Sequence, residues 1–589
     1  MTQITEKIEE VLREAFDKCG YPDADVSVKI SDRPDLCEYQ CNSALPAAKK
    51  YSVNPMDIAS EVAGSAKDQI IFDKIEATRP GFINIILSPV FLSEHLKKLS
   101  CETKLLADGE KTPKKTVIDF GGANVAKPLH VGHLRSAVIG ESLKRILKYA
   151  GNEVIGDVHL GDWGLQMGLI IEQLRQEQPL LPYFDDEKTR PYPHNPPFTL
   201  EDLETMYPKA SARSKEDEKF LRAAQETTKR LQDGFEPYVE IWKHIMELSK
   251  KDLKKNYDSL GVSFDLWKGE SDAQPFIADM TEDLKTRGIA KPSQGALVID
   301  VSEPDDTKEV PPCIIQKSDG AALYATSDLA TIIDRKKNLN AESFVYVADK
   351  RQELHFTQVF RSARKAGYVD DSDTLEFIGF GTMNGKDGKP FKTRAGGVMR
   401  LEHLVADIRS AVYDKIVQGA GMTGEELERT TETVALAALK YGDLSNQASR
   451  DYIFDVDRFT ALEGNTGPYI LYTTVRLKSI LEKYYEAGGK QVSGVDLGSP
   501  VTVKEKQLML KALQAPEAIK EAYYKRAPHV ICRYVYELSD VCNGFYHDTN
   551  ILSEKDEKLK EERIALITVI KNILVECLGL LGIDTPDRM

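Results

Sequence analysis

A strand, loop, helix and strand pattern in residues 115–157 constrains the fold more than any other feature of the chain. It opens with the short apolar strand KTVIDF, continues through a glycine-containing loop and a helix, and returns as a second strand, NEVIGDV. The apolar side chains of the helix fall on one face, at Val138, Ile139, Leu143, Ile146 and Leu147. This order predicts the start of a parallel nucleotide-binding sheet in an α/β fold, with further strand candidates at 296–300, 343–348 and 375–381.

The loop of this pattern ends in His130-Val131-Gly132-His133, where the helix begins. Free backbone N–H groups and the helix dipole at such a position favour an anion such as a triphosphate. Two imidazoles can donate hydrogen bonds to phosphate oxygens, and Gly132, which has no Cβ, allows a flat base to approach the backbone. Two ordinary histidines at a helix start would explain HVGH alone, but the strand-loop-helix context favours nucleotide chemistry.

The chain of 589 residues is long enough for about three to five domains. Residues 1–108 are predicted to form a small α/β domain that ends in a charged linker. Residues 109–401 are predicted to form a Rossmann-like domain with insertions at about 172–245 and 272–316. Residues 402–589 are predicted to form an all-α helical bundle.

Composition and charge exclude several classes of protein. With 78 Lys+Arg and 93 Asp+Glu residues, the net charge of −15 disfavours sequence-blind nucleic-acid binding but allows a local basic surface. The eight cysteines show no zinc-finger spacing, so we expect reduced thiols in a cytoplasmic protein. The acidic N-terminus is not expected to be a signal peptide. Lys571 and Glu576 interrupt the longest apolar stretch, so we expect no contact with a membrane.

A set of motifs spread over nearly the whole chain points to one family. The first is NVAKPLHVGHLRSAVIG. The others, in chain order, are EYQCNSALPAAK near the N-terminus, then HLGDWGLQMG, LGVSFDLWKGES, KSDGAALYATSDLA, QELHFTQVF, GKDGKPFKTRAGG, DYIFDVDRFTALEGNTGPYILY, FYHD and the tail LGIDTPDRM. The first motif resembles the HIGH signature of class I aminoacyl-tRNA synthetases. The set as a whole resembles arginyl-tRNA synthetase, including its extra N-terminal module.

The resemblance implies an ATP-dependent ligation of L-arginine to tRNA(Arg). Arginine would attack the α-phosphate of ATP to give arginyl-adenylate, and the arginyl group would pass to the 2′-hydroxyl of the terminal adenosine. The family usually needs bound tRNA for the first step. His130, Gly132 and His133 would bind ATP, the two histidines and Lys127 acting in catalysis. We expect magnesium to arrive with ATP and predict no tightly bound metal.

The segment GKPFKTRAGG stands where the family carries its second signature, KMSKS, and departs from it. Lys389, Lys392 and Arg394 are all candidates for the catalytic charge that faces pyrophosphate, because the register is ambiguous. Lys392 is also a candidate for binding ATP. The flanking glycines suit the mobile loop that this chemistry needs.

The arginine pocket is expected to be acidic, because a guanidinium pairs its donors with carboxylates in a way that lysine cannot reproduce. Tyr324 and Asp328 are four residues apart and share one face if the segment is helical. By resemblance they contact the substrate guanidinium. The other positions that match this part of the family are Asn124, His159, Glu270 and Gln352.

Two further sets of candidates concern adenosine and tRNA. Asp349 and His355 follow a strand at the edge where parallel sheets bind ligands, and the resemblance puts them at the adenosine pocket, although His355 could equally be a core histidine. The helical C-terminal region should bind the anticodon, because splayed-out bases stack on aromatic side chains. Candidates for tRNA contact are Arg450, Tyr452, Arg533, Phe545, Tyr546 and His547, with Tyr39, Gln40 and Asn42 in the N-terminal domain that should hold the tRNA elbow.

Two alternative interpretations compete with that of an arginyl-tRNA synthetase. The cysteinyl enzyme of the same class uses a zinc site, which the cysteines of this chain do not supply. A relative that binds tRNA or regulates without catalysing would not need the intact HVGH, Tyr324, Asp328 and Gln352. By resemblance to the family, we expect a monomer.

Overall fold

The structure is a computed structural model. It describes residues 3–106, 109, 112–184, 191–318, 320, 322–389, 399–417 and 421–589. Along the chain the described residues form an antiparallel sheet with helices, a parallel sheet with insertions, and a long run of helices. The predicted α/β architecture with an all-α C-terminal region is therefore confirmed.

The N-terminal region packs its helices on a four-stranded antiparallel sheet, in which the strands pair in the order β1-β2-β4-β3. Its elements are α1 (Ile4–Lys18), β1 (Val28–Ile30), β2 (Tyr39–Cys41), α2 (Ala44–Tyr51), α3 (Pro55–Ala66), β3 (Phe72–Thr78), β4 (Phe82–Leu87) and α4 (Pro89–Cys101). Ile8, Leu12 and Phe16 recur at helical spacing on α1 and are all buried, so this helix docks by one apolar face.

The middle region contains the parallel sheet. Its elements are β5 (Lys115–Asp119), α5 (Val131–Tyr149), β6 (Glu153–Asp157), α6 (Leu165–Glu177), α7 (Leu200–Glu216), α8 (Glu218–Gln232), α9 (Glu236–Ser259), α10 (Glu270–Thr286), β7 (Lys291–Ser293), β8 (Ala296–Ile299), β9 (Cys313–Gln316), α11 (Tyr324–Leu339), β10 (Ser343–Asp349), α12 (Glu353–Ala366), β11 (Thr374–Phe380) and β12 (Met383–Asn384). Strands β11, β10, β5 and β6 lie side by side in that order and pair in parallel. The strand order reverses between β5 and β10, and ligands bind such sheets at the carboxyl ends beside that point.

Two of the three further strand candidates join the parallel sheet, and the third does not. Segments 343–348 and 375–381 correspond to β10 and β11. Segment 296–300 forms β8, which pairs antiparallel with β7 and β9 in a separate three-stranded sheet. The alternation of buried and partly exposed residues along β8 suits an antiparallel sheet with one covered face, whereas β10 is buried along five consecutive residues.

The C-terminal region is helical apart from a two-residue strand that pairs with β12. Its elements are α13 (Leu401–Ile416), α14 (Gly424–Leu444), β13 (Tyr452–Ile453), α15 (Val456–Phe459), α16 (Gly467–Glu486), α17 (Val503–Ala512), α18 (Ala515–Lys525), α19 (Pro528–Asp548) and α20 (Glu557–Leu580). Helix α20 holds Lys571 and Glu576 and packs its buried apolar side chains against α16 and α19. No helix in the described ranges is both long and apolar enough to cross a bilayer.

A buried ion pair joins α5 to the helical region. Arg135 and Asp443 are both essentially inaccessible, and Nε of Arg135 lies 3.2 Å from Oδ2 of Asp443 on α14. Nη1 of Arg135 also donates to the carbonyl oxygens of Gly381 and Arg450, at 2.7 and 3.0 Å. These contacts occupy Nε and Nη1 of the buried guanidinium, whereas its buried Nη2 has no hydrogen-bond partner in the described structure. A buried charge needs such partners, so the cluster holds the helical region against α5.

Candidate active site

Both histidine rings of HVGH accept hydrogen bonds from backbone amides of the same motif at the start of α5. Nδ1 of His130 accepts a hydrogen bond from the Gly132 amide at 3.0 Å, and Nδ1 of His133 accepts one from the His130 amide at 3.1 Å. Their ring centroids are 3.9 Å apart. Since each Nδ1 is an acceptor, the proton of each neutral ring sits on Nε2, which is left to donate. We call His130, Gly132 and His133 the phosphate corner.

Both imidazoles of the phosphate corner are held in the neutral form. Burial lowers the pKa of His133 to about 3, with a further contribution from the neighbouring His130. Burial and the nearby Lys127 ammonium also lower the pKa of His130. At neutral pH these rings therefore act as hydrogen-bond donors and not as cations, so positive charge at this corner has to come from other residues.

Gly132 is required by the His130 ring. A Cβ at position 132 would lie 2.8 Å from Cε1 of His130, closer than real Cβ contacts allow. A larger residue would push the ring away from its hydrogen bond with the Gly132 amide. This steric reason differs from the predicted approach of a flat base, although the exposed Gly132 leaves room for both.

Basic residues near the phosphate corner are only partly described. The Lys127 ammonium lies 4.3 Å from the centroid of the Tyr207 ring on α7. Lys389 is exposed at the end of a turn in which its amide donates to Asp387 at 3.1 Å. Lys392 and Arg394 lie outside the described residues. The chain returns beside the corner, where the Val131 amide donates to the Met399 carbonyl at 3.1 Å.

Helix α11 carries two of the predicted arginine ligands on one face. Tyr324 stands at its first turn and is 70% exposed, so its ring is accessible to a ligand. Asp328 follows one turn later, and its Oδ2 lies 2.5 Å from Nε2 of His355 on α12. His355, predicted at the adenosine pocket, thus contacts the acid predicted to bind the substrate guanidinium.

Glu270 supplies a second carboxyl group at the start of α10. Its backbone amide donates to the Leu160 carbonyl at 3.0 Å, which links it to the segment after β6. Burial, together with the nearby carboxylates of Asp162 and Asp328, raises the pKa of Glu270 to about 7. These acids are close enough to repel one another, so a bound cation would reduce the electrostatic repulsion between their carboxylates.

The remaining small-molecule candidates line the same edge of the sheet. Asn124 is exposed and forms a parallel bridge with Gly161, and Gln352 is exposed just before α12. His159 has a positive φ of 27°, and neither of its buried ring nitrogens has a hydrogen-bond partner in the structure. Asp349 pairs with Arg351 at 2.7 Å, and that guanidinium lowers the pKa of Asp349. Asp349 is therefore engaged with a neighbour on its own segment.

Three of the predicted tRNA contacts are packed inside the protein, which corrects the prediction for them. Tyr39 and Phe545 are fully buried, and Tyr452 is buried with its hydroxyl 3.2 Å from Oδ2 of Asp443. Such rings cannot stack on a base without unpacking the core. Arg450, Arg533, Tyr546 and His547 are exposed, and Gln40 donates to Asn84 at 3.0 Å. The buried Oδ1 of Asn42 has no partner in the described structure.

An exposed aromatic and cationic cluster on α16 and α19 was not predicted, apart from Tyr546. The guanidinium of Arg476 lies 4.7 Å from the Tyr472 ring and 5.1 Å from the Tyr546 ring. Arg476 also donates to Oδ1 of Asn543 at 2.6 Å, which fixes its orientation. Both tyrosines are 40% exposed. The i, i+4 spacing of Tyr472 and Arg476 within PYILYTTVRLK was the available signal. We call Tyr472, Arg476 and Tyr546 the ring cluster.

Comparison with known proteins accounts for all three regions. The family described as tRNA synthetases class I (R), catalytic domain, matches residues 95–456. The Arginyl tRNA synthetase N terminal domain matches residues 2–87, and the DALR anticodon binding domain matches residues 470–589.

In the described residues no group of His, Cys, Asp or Glu side chains could hold a metal ion.

Individual relatives match from end to end. The arginine–tRNA ligase of Agathobacter rectalis is 53% identical and that of Alkaliphilus oremlandii 48%, each over 100% of both chains. The crystal structure of arginyl-tRNA synthetase from Plasmodium falciparum superposes with a TM-score of 0.82 at 26% identity over 100% of both chains. The fold of Thermus thermophilus arginyl-tRNA synthetase is also similar, with a TM-score of 0.80 at 22% identity over 100% of both chains. Because the family profiles and the full-length relatives agree with the motifs and the geometry, the chain belongs to the arginyl-tRNA synthetase family of class I aminoacyl-tRNA synthetases.

Proposed function

We propose that the protein ligates L-arginine to tRNA(Arg) at the expense of ATP, through arginyl-adenylate. The observation that carries the proposal is the pairing of two unlike sites at one edge of the parallel sheet. The phosphate corner offers neutral Nε2–H donors at a helix start, and the segments beside it hold acids that repel each other. The first suits a polyphosphate, and the second suits a guanidinium.

In the first step, the carboxylate of arginine attacks the α-phosphorus of ATP and pyrophosphate leaves. No covalent bond to the protein is needed, so catalysis is positioning plus stabilisation of an anionic transition state. His130 and His133 hold phosphate oxygens through Nε2–H, and the corner itself supplies little positive charge. That charge comes from Lys127, from Lys389, Lys392 or Arg394 in the second basic segment, and from Mg²⁺ that enters with ATP.

Arginine is selected by acids placed around its guanidinium. Asp328 and Glu270 face the substrate guanidinium, and Tyr324 covers it from the first turn of α11. Gln352 and Asn124 contact other polar groups of the bound arginine. His355 orients Asp328 through their 2.5 Å contact. His159 lies near enough to Glu270 to influence the pKa of that carboxyl group. We place Asp349 at the adenosine side because it ends β10 beside the reversal of strand order.

In the second step, the 2′-hydroxyl of the terminal adenosine of tRNA attacks the arginyl carbonyl, and AMP leaves. We propose that the ring cluster stacks on anticodon bases, together with the exposed side chains of His547 and Arg533 on α19. Arg450 would contact tRNA nearer the catalytic region. Gln40 in β2 and Asn42 just after that strand would contact the tRNA elbow. We further propose that the enzyme acts as a monomer in the cytoplasm, without contact with a membrane.

The test is ATP–pyrophosphate exchange with arginine, tRNA(Arg) and Mg²⁺, followed by charging of radiolabelled arginine. Exchange should require arginine and tRNA together, and lysine or cysteine should not replace arginine. A tRNA-binding relative without catalysis would bind tRNA(Arg) but show no exchange. That result, obtained with folded protein and active tRNA, would contradict the proposed function.

A further inference from the structure

A buried cation lies beneath the acids of the arginine pocket, within the protein's own core. Arg335, on α11, is 1% exposed, and its Nη2 lies 2.6 Å from Oδ2 of Asp119 and 2.8 Å from Oδ2 of Asp157. Asp119 ends β5 and Asp157 ends β6. We call Arg335, Asp119 and Asp157 the buried triad; it joins one helix to the carboxyl ends of two parallel strands.

The buried triad reaches every segment that contributes an acid to the pocket. Oδ1 of Asp157 accepts from the backbone amide of Lys268 at 3.3 Å and from that of His159 at 3.5 Å. Glu270 stands two residues after Lys268, and the Leu160 amide donates to the Lys268 carbonyl at 2.8 Å. One carboxylate therefore fixes both the segment after β6 and the start of α10.

Arg335 holds the other side of the pocket through its own helix. Asp328 lies seven residues before Arg335 on α11, two helical turns away and on the same face, and Tyr324 lies one turn further. A shift or rotation of α11 would move Asp328 relative to Glu270. The end of β5 is a rigid reference point, because β5 pairs with β10 on one side and with the edge strand β6 on the other.

We propose that Arg335 is a positioning residue for arginine binding. By bridging Asp119 and Asp157 it sets the separation of Asp328 and Glu270, so that the two acids match a substrate guanidinium. This inference rests on the proposed function, because it assigns these acids to arginine. It adds a residue that contacts no substrate and acts through the placement of those that do.

The charges of the buried triad support the same role. Two carboxylates and one guanidinium leave a single net negative charge below the pocket. Loss of the guanidinium alone would bury two like charges without compensation, and breaking such an arrangement destabilises a protein strongly. A variant that removes one acid together with the cation keeps the net charge and removes only the bridge.

The experiment compares Arg335→Lys with the double variant Arg335→Gln/Asp119→Asn. Lysine keeps the charge but has a shorter reach, whereas the double variant keeps the net charge without a bridge between the strands and α11. Both should raise the KM for arginine by about tenfold or more, because small displacements of binding groups have effects of up to 10²-fold. The KM for ATP should change less than about twofold, since the phosphate corner is held by its own hydrogen bonds. Lys336→Met is the matched control, because Lys336 is the next residue on α11 and pairs with Asp373 at 2.6 Å.

The outcomes separate this inference from the proposed function. If the wild-type enzyme shows no arginine-dependent exchange, the proposed function itself is contradicted. If the wild type is active and both variants keep the arginine KM of the Lys336→Met control, the positioning role is wrong. A fall in kcat alone, with unchanged KM values, would assign the buried triad to stability only and would also overturn it. If Arg335→Lys does not fold, the double variant decides by the same two KM values.

Discussion

The phosphate corner and the arginine pocket are built in opposite ways. The corner consists of consecutive residues that bond to one another's backbone, so its geometry is determined within four positions of the chain. The pocket gathers side chains from Asn124 to His355, and their separation depends on α10, α11 and α12 packing at one edge of the sheet. A substitution in the corner should remove its function outright, whereas the pocket should respond in graded steps.

The largest effect is expected for His133→Ala in the phosphate corner. It removes an Nε2–H donor and the acceptor that holds the His130 amide. Loss of one such donor to an anionic transition state lowers the rate by roughly 10²–10³-fold, and we expect this decrease in kcat for exchange. The arginine KM should change little, since the pocket does not depend on His133.

His403→Ala is the matched control, because His403 is a largely exposed histidine on α13. Steady-state exchange with arginine, ATP and tRNA varied in turn gives the three KM values and kcat. If His133→Ala raised the arginine KM as much as it lowered kcat, the two regions would not be independent, and the comparison would fail.

Asp328→Ala should have the next largest effect, and it should appear in the other parameter. The variant removes the carboxylate that faces the guanidinium and leaves His355 without its partner. Loss of a charge-assisted contact in a partly buried site predicts an increase in the arginine KM of about 10²-fold. Asp371→Ala, at an exposed loop acid, should leave arginine kinetics unchanged. Unchanged arginine kinetics in Asp328→Ala would remove Asp328 from the pocket.

The pH dependence of arginine binding should distinguish the two regions as well. The pKa of Glu270 is raised to about 7, so in the empty pocket it is mainly ionised at pH 8 and mainly protonated at pH 6. Since only the ionised form attracts a guanidinium, the arginine KM should rise as the pH falls through 7, by at most about tenfold per unit.

His133, whose pKa is lowered to about 3, stays neutral throughout this range, and the lowered pKa of His130 works in the same direction. Glu270→Gln should bind arginine more weakly at pH 8 and lose most of the pH dependence. A wild-type arginine KM that is constant from pH 6 to 8 would show that Glu270 does not bind the cation in its ionised form.

The same contrast explains what could be predicted from the sequence. The parallel sheet and HVGH were predictable because they depend on local periodicity and on neighbouring residues. The role of Arg335 was not, because an arginine within the polar run DRKKN on a helix looks like a surface residue until the fold buries it. The contact of His355 with Asp328 depends on how α11 and α12 pack, which no spacing reveals.

The helical region shows the limit at single-residue resolution. Phe545 and Tyr546 are adjacent, and both were predicted to contact tRNA, yet the first is fully buried and the second 40% exposed. The face of α19 that points to solvent is set by packing against α17 and α18, and also against α14, α16 and α20. Aromatic residues in a helix therefore indicate a candidate surface only after that packing is known.

The smallest effect is expected in the ring cluster, which, like the pocket, is assembled from separate helices. Tyr472→Ala should raise the KM for tRNA by roughly fivefold to tenfold, which corresponds to about 1–1.4 kcal/mol, the lower end of the range for one base stack. Arginine and ATP KM values should remain unchanged when tRNA is saturating, and the melting temperature should stay near that of the wild type. Phe545→Ala is the contrasting variant: the loss of a buried ring should lower the free energy of unfolding by about 3–5 kcal/mol. If Tyr472→Ala left the tRNA KM unchanged while Phe545→Ala raised it at full stability, the anticodon face would have to be placed on the opposite side of α19.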